Sequence, residues 1–194
     1  MNEQNMSKDS CDCIMGFADG CSEIVKAPIT SWDFLLFENA AAFKAGIVKD
    51  AWQSHNLVTN QGKNSLNDVY FNGTTQITAW KMFPVESTTD PALSMTYANP
   101  VFTECTAYTE GARVAYQSAS STSQAVTNTA NRATFTFNAP KTIYGVALVG
   151  GGSAAGTKSD TNGGGTLYAV SKFAVAKTVI ATNILYVGMT ISQV

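Results

Sequence analysis

The sequence predicts an all-β fold: a β-sandwich, jelly-roll or immunoglobulin-like, with one short helix and an N-terminal extended arm. Three observations lead there. Short apolar segments recur about every 10 to 20 residues with no long helical pattern between them. Thr, Ser, Asn and Gln fill about a third of the chain while Asp, Glu, Lys and Arg make up only 13%, which is the usage of turn-rich β structure. Finally, 45% of the 194 residues are hydrophobic, and a chain of this length can bury roughly 70% of the surface its unfolded form exposes. A parallel α/β sheet would have no room for its crossover helices.

Residues 1–28 make up the arm. They are polar, hold three of the four cysteines together with Gly16 and Gly20, and end at Pro28. Neither helical nor alternating periodicity runs through them. Ile14, Met15, Phe17, Ile24 and Val25 are the expected partner-binding positions, since left exposed they are unfavourable and they gain by ordering against another chain.

Residues 29–194 are expected to form the sandwich domain. Ser31 to Phe37 is the first strand; Gly46-Ile47-Val48 opens a second that runs toward Trp52, and Ala40 to Ala42 between them fit a helical turn or a loop. His55 to Thr59 leads into Asn60-Gln61-Gly62, a turn signal. Leu66, Val69 and Tyr70 fall at i, i+3 and i+4 and predict the short helix. Asn72-Gly73 closes it, because glycine takes the left-handed cap without steric penalty. Ile77 to Phe83, Ala112 to Gln117, Ala133 to Phe137, Thr142 to Val149, Thr166 to Ser171 and Ile184 to Ser192 then read as strands, with Ser118 to Thr129 and Gly150 to Gly165 as loops. The core expected from these patterns comprises Trp32, Phe34, Leu57, Leu66, Trp80, Phe135, Phe137, Val146, Leu148, Leu167, Tyr186 and Val187.

Charge excludes one class of partner. Twelve basic residues stand scattered against 14 acidic ones, for a net charge of −2, whereas nucleic-acid binding needs a cationic surplus to release counterions. No run of about 18 apolar residues exists to cross a membrane. Met1 to Asp12, with Glu3, Asp9 and Asp12, lacks the basic-then-hydrophobic layout of a secretory signal, so export is not expected.

Catalytic and metal motifs are near misses. Cys11, Cys13, Cys21 and Cys105 do not have zinc spacing and the chain has one histidine. They are expected to be plain thiols of a reducing cytoplasm, with metal binding or a bridge from Cys11 or Cys13 to Cys21 as alternatives. His55 and its neighbour Ser54 point to opposite faces of an extended segment, which disfavours a triad; His55 is expected to hydrogen-bond locally where a strand begins. Gly151 to Ala155 misses a nucleophile elbow by its last residue, and Gly151 to Ser159 misses a phosphate loop by one inserted residue. Asp160 and Asn162 offer oxygens to calcium without the remaining ligands. Glu104 and Glu110 have nothing to bring them to a glycosidase separation and read as solvated surface. Asn72-Gly73-Thr74 matches a glycosylation acceptor but reads as a turn. Trp32, Trp52 and Trp80 are expected in the core rather than as sugar platforms. No catalytic, cofactor-binding or metal-binding residue is expected, and the chain is not expected to be an enzyme.

The stretch from His55 to Phe71 resembles a recurring element of small virion proteins of tailed bacteriophages. The succession after it is similar too: Thr78-Ala79-Trp80; Thr103 to Tyr108 with Arg113 following; Ala133 to Asn138; Thr142 to Val149; and Gly165 to Tyr168. The resemblance spans residues 50–192 and leaves the arm outside. It implies a component of the phage particle, most directly a capsid decoration or cement protein that binds the major capsid protein as a homo-oligomer on the virion, made and assembled in the host bacterial cytoplasm. The alternative it implies is a head or tail fibre component acting as a receptor- or carbohydrate-binding module. Such a module would use loop aromatics, for which Tyr97, Phe102, Tyr108 and Tyr116 are the candidates.

Overall fold

A computed structural model describes residues 28–192, with His55 and Asn56 described by their backbone alone. The arm residues Ile14, Met15, Phe17, Ile24 and Val25, and Cys11, Cys13 and Cys21, lie outside the described residues.

The described chain is mostly β, with two α-helices. Its elements are β1 (Ile29–Phe37), α1 (Ala40–Ala45), β2 (Asp50–Val58), α2 (Asn60–Phe71), β3 (Trp80–Val85), β4 (Val114–Tyr116) and β5 (Ala125–Thr127), followed by a 3-10 turn at Thr129–Asn131. Then come β6 (Ala133–Thr136), β7 (Lys141–Ile143), β8 (Gly145–Gly150), β9 (Thr166–Ser171), β10 (Lys177–Val179) and β11 (Ile184–Ser192). Nine strands join in the order β4-β3-β8-β9-β2-β1-β11-β5, with β6 also on β11, while β10 and β7 form a separate pair. Every pairing is antiparallel. β2 links the two halves of the path: Asp50 to His55 pair with β1, and Asn56 to Val58 pair with β9.

Two expected turns and starts are corrected. Gly46 does not open a strand. It takes the left-handed conformation at φ 69° as the C-cap of α1, whose N-cap Asn39 accepts from the Ala41 and Ala42 amides at 3.0 Å. An Ala-rich hexapeptide capped at both ends outcompetes the β-propensity of Ile47 and Val48, which are left exposed. Likewise Asn60-Gln61-Gly62 is the first turn of α2 rather than a break. Thr59 is the N-cap, its hydroxyl accepting from the Gly62 amide at 3.0 Å. Gly62 is needed there because a Cβ would lie 2.6 Å from the Tyr168 carbonyl oxygen, so the helix rests directly on β9.

β3 begins at Trp80, not Ile77, and its last four residues are all buried. β8 is buried throughout. The cause is burial on both faces. Met82, Val146, Leu148 and Tyr168 join Trp32, Phe34, Leu185, Val187 and Met189 in one apolar cluster. Phe83, Val85, Ala147, Val149, Leu167 and Val170 turn the other way, onto Met95, Tyr97 and Ala155 from the loops. Of the expected core, Leu57, Leu66, Trp80 and Tyr186 are only half-buried and the other eight are buried. The expected strand Thr142 to Val149 breaks at Tyr144, which donates to the Val85 carbonyl and accepts from Phe173 instead. The expected loop Ser118 to Thr129 contains β5.

Candidate interaction surface

The long loops that cover β3, β8 and β9 are held by an ionic network that sequence patterns did not reveal. Arg113 precedes β4, and its guanidinium lies 4.4 Å from the centre of the Phe83 ring. Glu104 Oε2 accepts from Arg113 Nη2 at 2.7 Å, from Arg113 Nε at 3.0 Å and from the Ser159 amide at 2.8 Å. Arg113 also donates to the carbonyls of Ala155 and Asp160 and to the Tyr97 hydroxyl. Both charged side chains are at most 5% exposed. One guanidinium therefore ties the loop before β4 to the Gly-rich loop after β8. Burial alone would lower the Arg113 pKa, but the Glu104 hydrogen bonds and charge more than reverse this, leaving it above the ordinary value.

This network corrects the expectation of a solvated Glu104. Glu110 is a backbone anchor too, accepting from the Thr136 amide at 3.1 Å through both oxygens. Asp160 accepts from the Tyr97 hydroxyl at 2.7 Å and from the Gly163 amide at 2.9 Å. The Tyr97 bond holds Asp160 below its ordinary pKa. Burial, and then that same bond, push Tyr97 up to about 12. Among the described residues no group of three or more His, Cys, Asp or Glu side chains is placed to hold a metal ion. The cavity beside this network, about 240 Å³, is lined by the same Arg113, Glu104 and Asp160, all of which are already engaged.

His55 lies inside β2, opposite Ser31, rather than at a strand's start. Trp32 is buried, whereas Trp52 and Trp80 pack against the core while half-buried. Tyr97, Tyr108 and Tyr116 are buried and Phe102 is half-buried, so the expected loop aromatics do not form an open platform. Cys105 is fully buried, and burial pushes its thiol up to about 11.

Most surface charges are paired, and several large apolar side chains stand exposed among them. Six of the ten described Lys and Arg residues are in ion pairs: Lys49–Glu38, Arg113–Glu104, Arg132–Asp33, Lys141–Glu86, Lys172–Asp90 and Lys177–Asp50. Against that background Tyr70 and Phe71, at the end of α2, are 78% and 88% exposed. Tyr70 and Ile191 line one groove, and Ile191 pairs with Thr30 at the start of β1. The exposed aromatics therefore sit at the end of the molecule where the arm joins. Ile47 and Val48, after α1, and Val175 and Ile180, on either side of β10, are also exposed. The alternation rules used on the sequence score burial, so they carry no signal for an aromatic pair left outside.

No family model matches the chain, and no curated protein matches it.

Proposed function

We propose that the chain is a bacteriophage virion structural protein, a capsid decoration or cement protein that binds the head surface through the major capsid protein and stabilises contacts between capsomers. The carrying observation is the exposed Tyr70–Phe71 pair at the end where the arm joins. Large aromatics exposed on a surface whose charges are mostly paired off favour a contact made by apolar area and neutral hydrogen bonds, as between subunits of an assembly. On this reading the arm's Ile14, Met15, Phe17, Ile24 and Val25 serve as a further attachment element, and copies on the particle associate as a homo-oligomer. The reading calls for no catalytic residue, cofactor, nucleic acid or membrane.

A sandwich suits this role, and its support is the apolar cluster shared by strands from both halves of the sheet path. Two packed layers give a rigid body able to bridge neighbouring subunits.

The test is the stoichiometry of the purified particle. Hundreds of copies accompanying DNA-filled heads are expected, and a dozen or fewer accompanying tails would overturn the reading. Tyr70→Ser with Phe71→Ser should weaken occupancy on undecorated heads and leave the unfolding midpoint unchanged.

A further inference from the structure

A groove of about 600 Å³ opens between α2, the β3–β4 edge and the ends of β5 and β11. That volume lies within the range of small-ligand sites. Its lining contains no Asp, Glu, Lys, Arg or His side chain. Aromatic rings form its walls: Trp80, Tyr70, Tyr116 and Tyr168. Trp80 is held rigidly, with Gly150 so close behind it that a Cβ there would fall 2.5 Å from the indole. On another side the ring meets Tyr168 edge-on at 5.5 Å.

The polar groups are neutral and under-used. Tyr168 is 2% exposed, yet its hydroxyl has no hydrogen-bond partner. Tyr116 Oη reaches only the Val126 carbonyl, at 3.4 Å. Gln76 and Gln124 add amides from the groove's lining. Gln124 sits in a two-residue hairpin turn between Thr122 and Ala125, where Ser123 and Gln124 have φ of 50° and 60°. Such turns are normally built from Asn and Gly, so an unfavourable backbone is retained where Gln124 lines the groove.

We propose that this groove is a binding site for a short neutral saccharide. A sugar ring offers a C–H face to an aromatic wall and hydroxyls that both donate and accept, which is the pairing this lining supplies. A phosphate or a uronate would find no cation here. A purely aliphatic ligand would leave the Tyr168 hydroxyl and the two amides unsatisfied.

The full-length protein is titrated with glucose, galactose, N-acetylglucosamine, lactose and maltotriose, with glucuronate and inorganic phosphate as charged probes, by saturation-transfer NMR and calorimetry. At least one neutral saccharide is expected to bind saturably. Gln124→Ala and Tyr168→Phe should each weaken it about tenfold, the loss of one hydrogen bond. Tyr168→Phe should not lower the unfolding midpoint, because the hydroxyl it removes has no protein partner, and this separates a ligand-binding role from a structural one. Failure of every neutral saccharide to bind, as when the arm or a second copy fills the groove, would overturn the proposal. So would undiminished binding in both variants, or glucuronate binding as tightly as glucose.

Discussion

Glu104→Ala should be among the most destabilising surface-loop substitutions in this protein. The carboxylate accepts three hydrogen bonds, two from Arg113 and one from the Ser159 amide. Without it the Arg113 guanidinium remains 3% exposed with neutral acceptors only: the carbonyls of Ala155 and Asp160 and the Tyr97 hydroxyl. Removing one partner of a buried ion pair costs about 3–5 kcal/mol, because the other charge is left uncompensated. For a chain of this length each kcal/mol lowers the melting temperature by about 2–4 °C, so a drop of about 6–20 °C is expected. Glu104→Gln keeps one acceptor and should lose less. The double change Glu104→Leu with Arg113→Met removes both charges together and should fall closer to the wild type than Glu104→Ala does. Urea unfolding followed by circular dichroism measures all three, with the slope checked for constancy so that a midpoint shift reports stability. A loss below about 1 kcal/mol for Glu104→Ala would put the pair in the class of weak surface bridges and refute the argument.

Gly62→Ala places a Cβ 2.6 Å from the Tyr168 carbonyl and should destabilise by about 1–3 kcal/mol through overpacking of α2 on β9, read as a lowered urea midpoint. Burial pushes Tyr97 and Tyr168 up to about 12 and Tyr108 and Tyr116 higher still. A raised folded pKa means that their stabilisation is complete below the unfolded value near 10 and is lost as pH rises through about 12. Tyrosinate absorbance should therefore show these four of the seven tyrosines ionising only with alkaline unfolding. Cys105 should resist iodoacetamide in the native protein and react once denatured, as peptide mass spectrometry will show, since its thiol is buried and raised to about 11. Attachment to heads should change little between low and high salt, because most described cations are already paired; a steep loss measured by sedimentation would point to an electrostatic contact instead.

Much of the strand content was legible because β9 and β11 are bounded by turn residues and are long enough to declare themselves. The errors fall where local signals compete with tertiary packing. Alternation across Ile77 to Phe83 places a strand edge three residues early, because β3 is buried on both faces and its real signature is the continuous run Met82 to Val85. Asn60-Gln61-Gly62 has the composition of a turn, yet Thr59 caps it as helix and the missing Cβ of Gly62 admits β9. That contact joins residues more than a hundred positions apart, and nothing near Gly62 in the sequence announces it. Three-residue strands such as β5 and β10 are too short to carry a period at all.

Loops and charges account for each other. The loops before β4 and after β8 cover one face of the sheet; backbone bonds such as Arg113 amide to Gly156 carbonyl and Cys105 amide to Pro84 carbonyl hold them in part, and further loop groups find side-chain partners. Arg113, Glu104, Glu110 and Lys158 supply them, Lys158 donating to the Tyr108 carbonyl at 2.8 Å and lying over the Tyr108 ring. Only the Arg113–Glu104 pair is withdrawn from solvent; each of the other five ion pairs keeps at least one side chain more than a quarter exposed. Beside these paired charges the exterior carries hydroxyls, amides and the aromatics of α2, groups that act only at contact distance. Which aromatics stand outside is not legible in the sequence, because an exposed Tyr70 and a buried Tyr168 are the same letter until the helix and the sheet are placed around them.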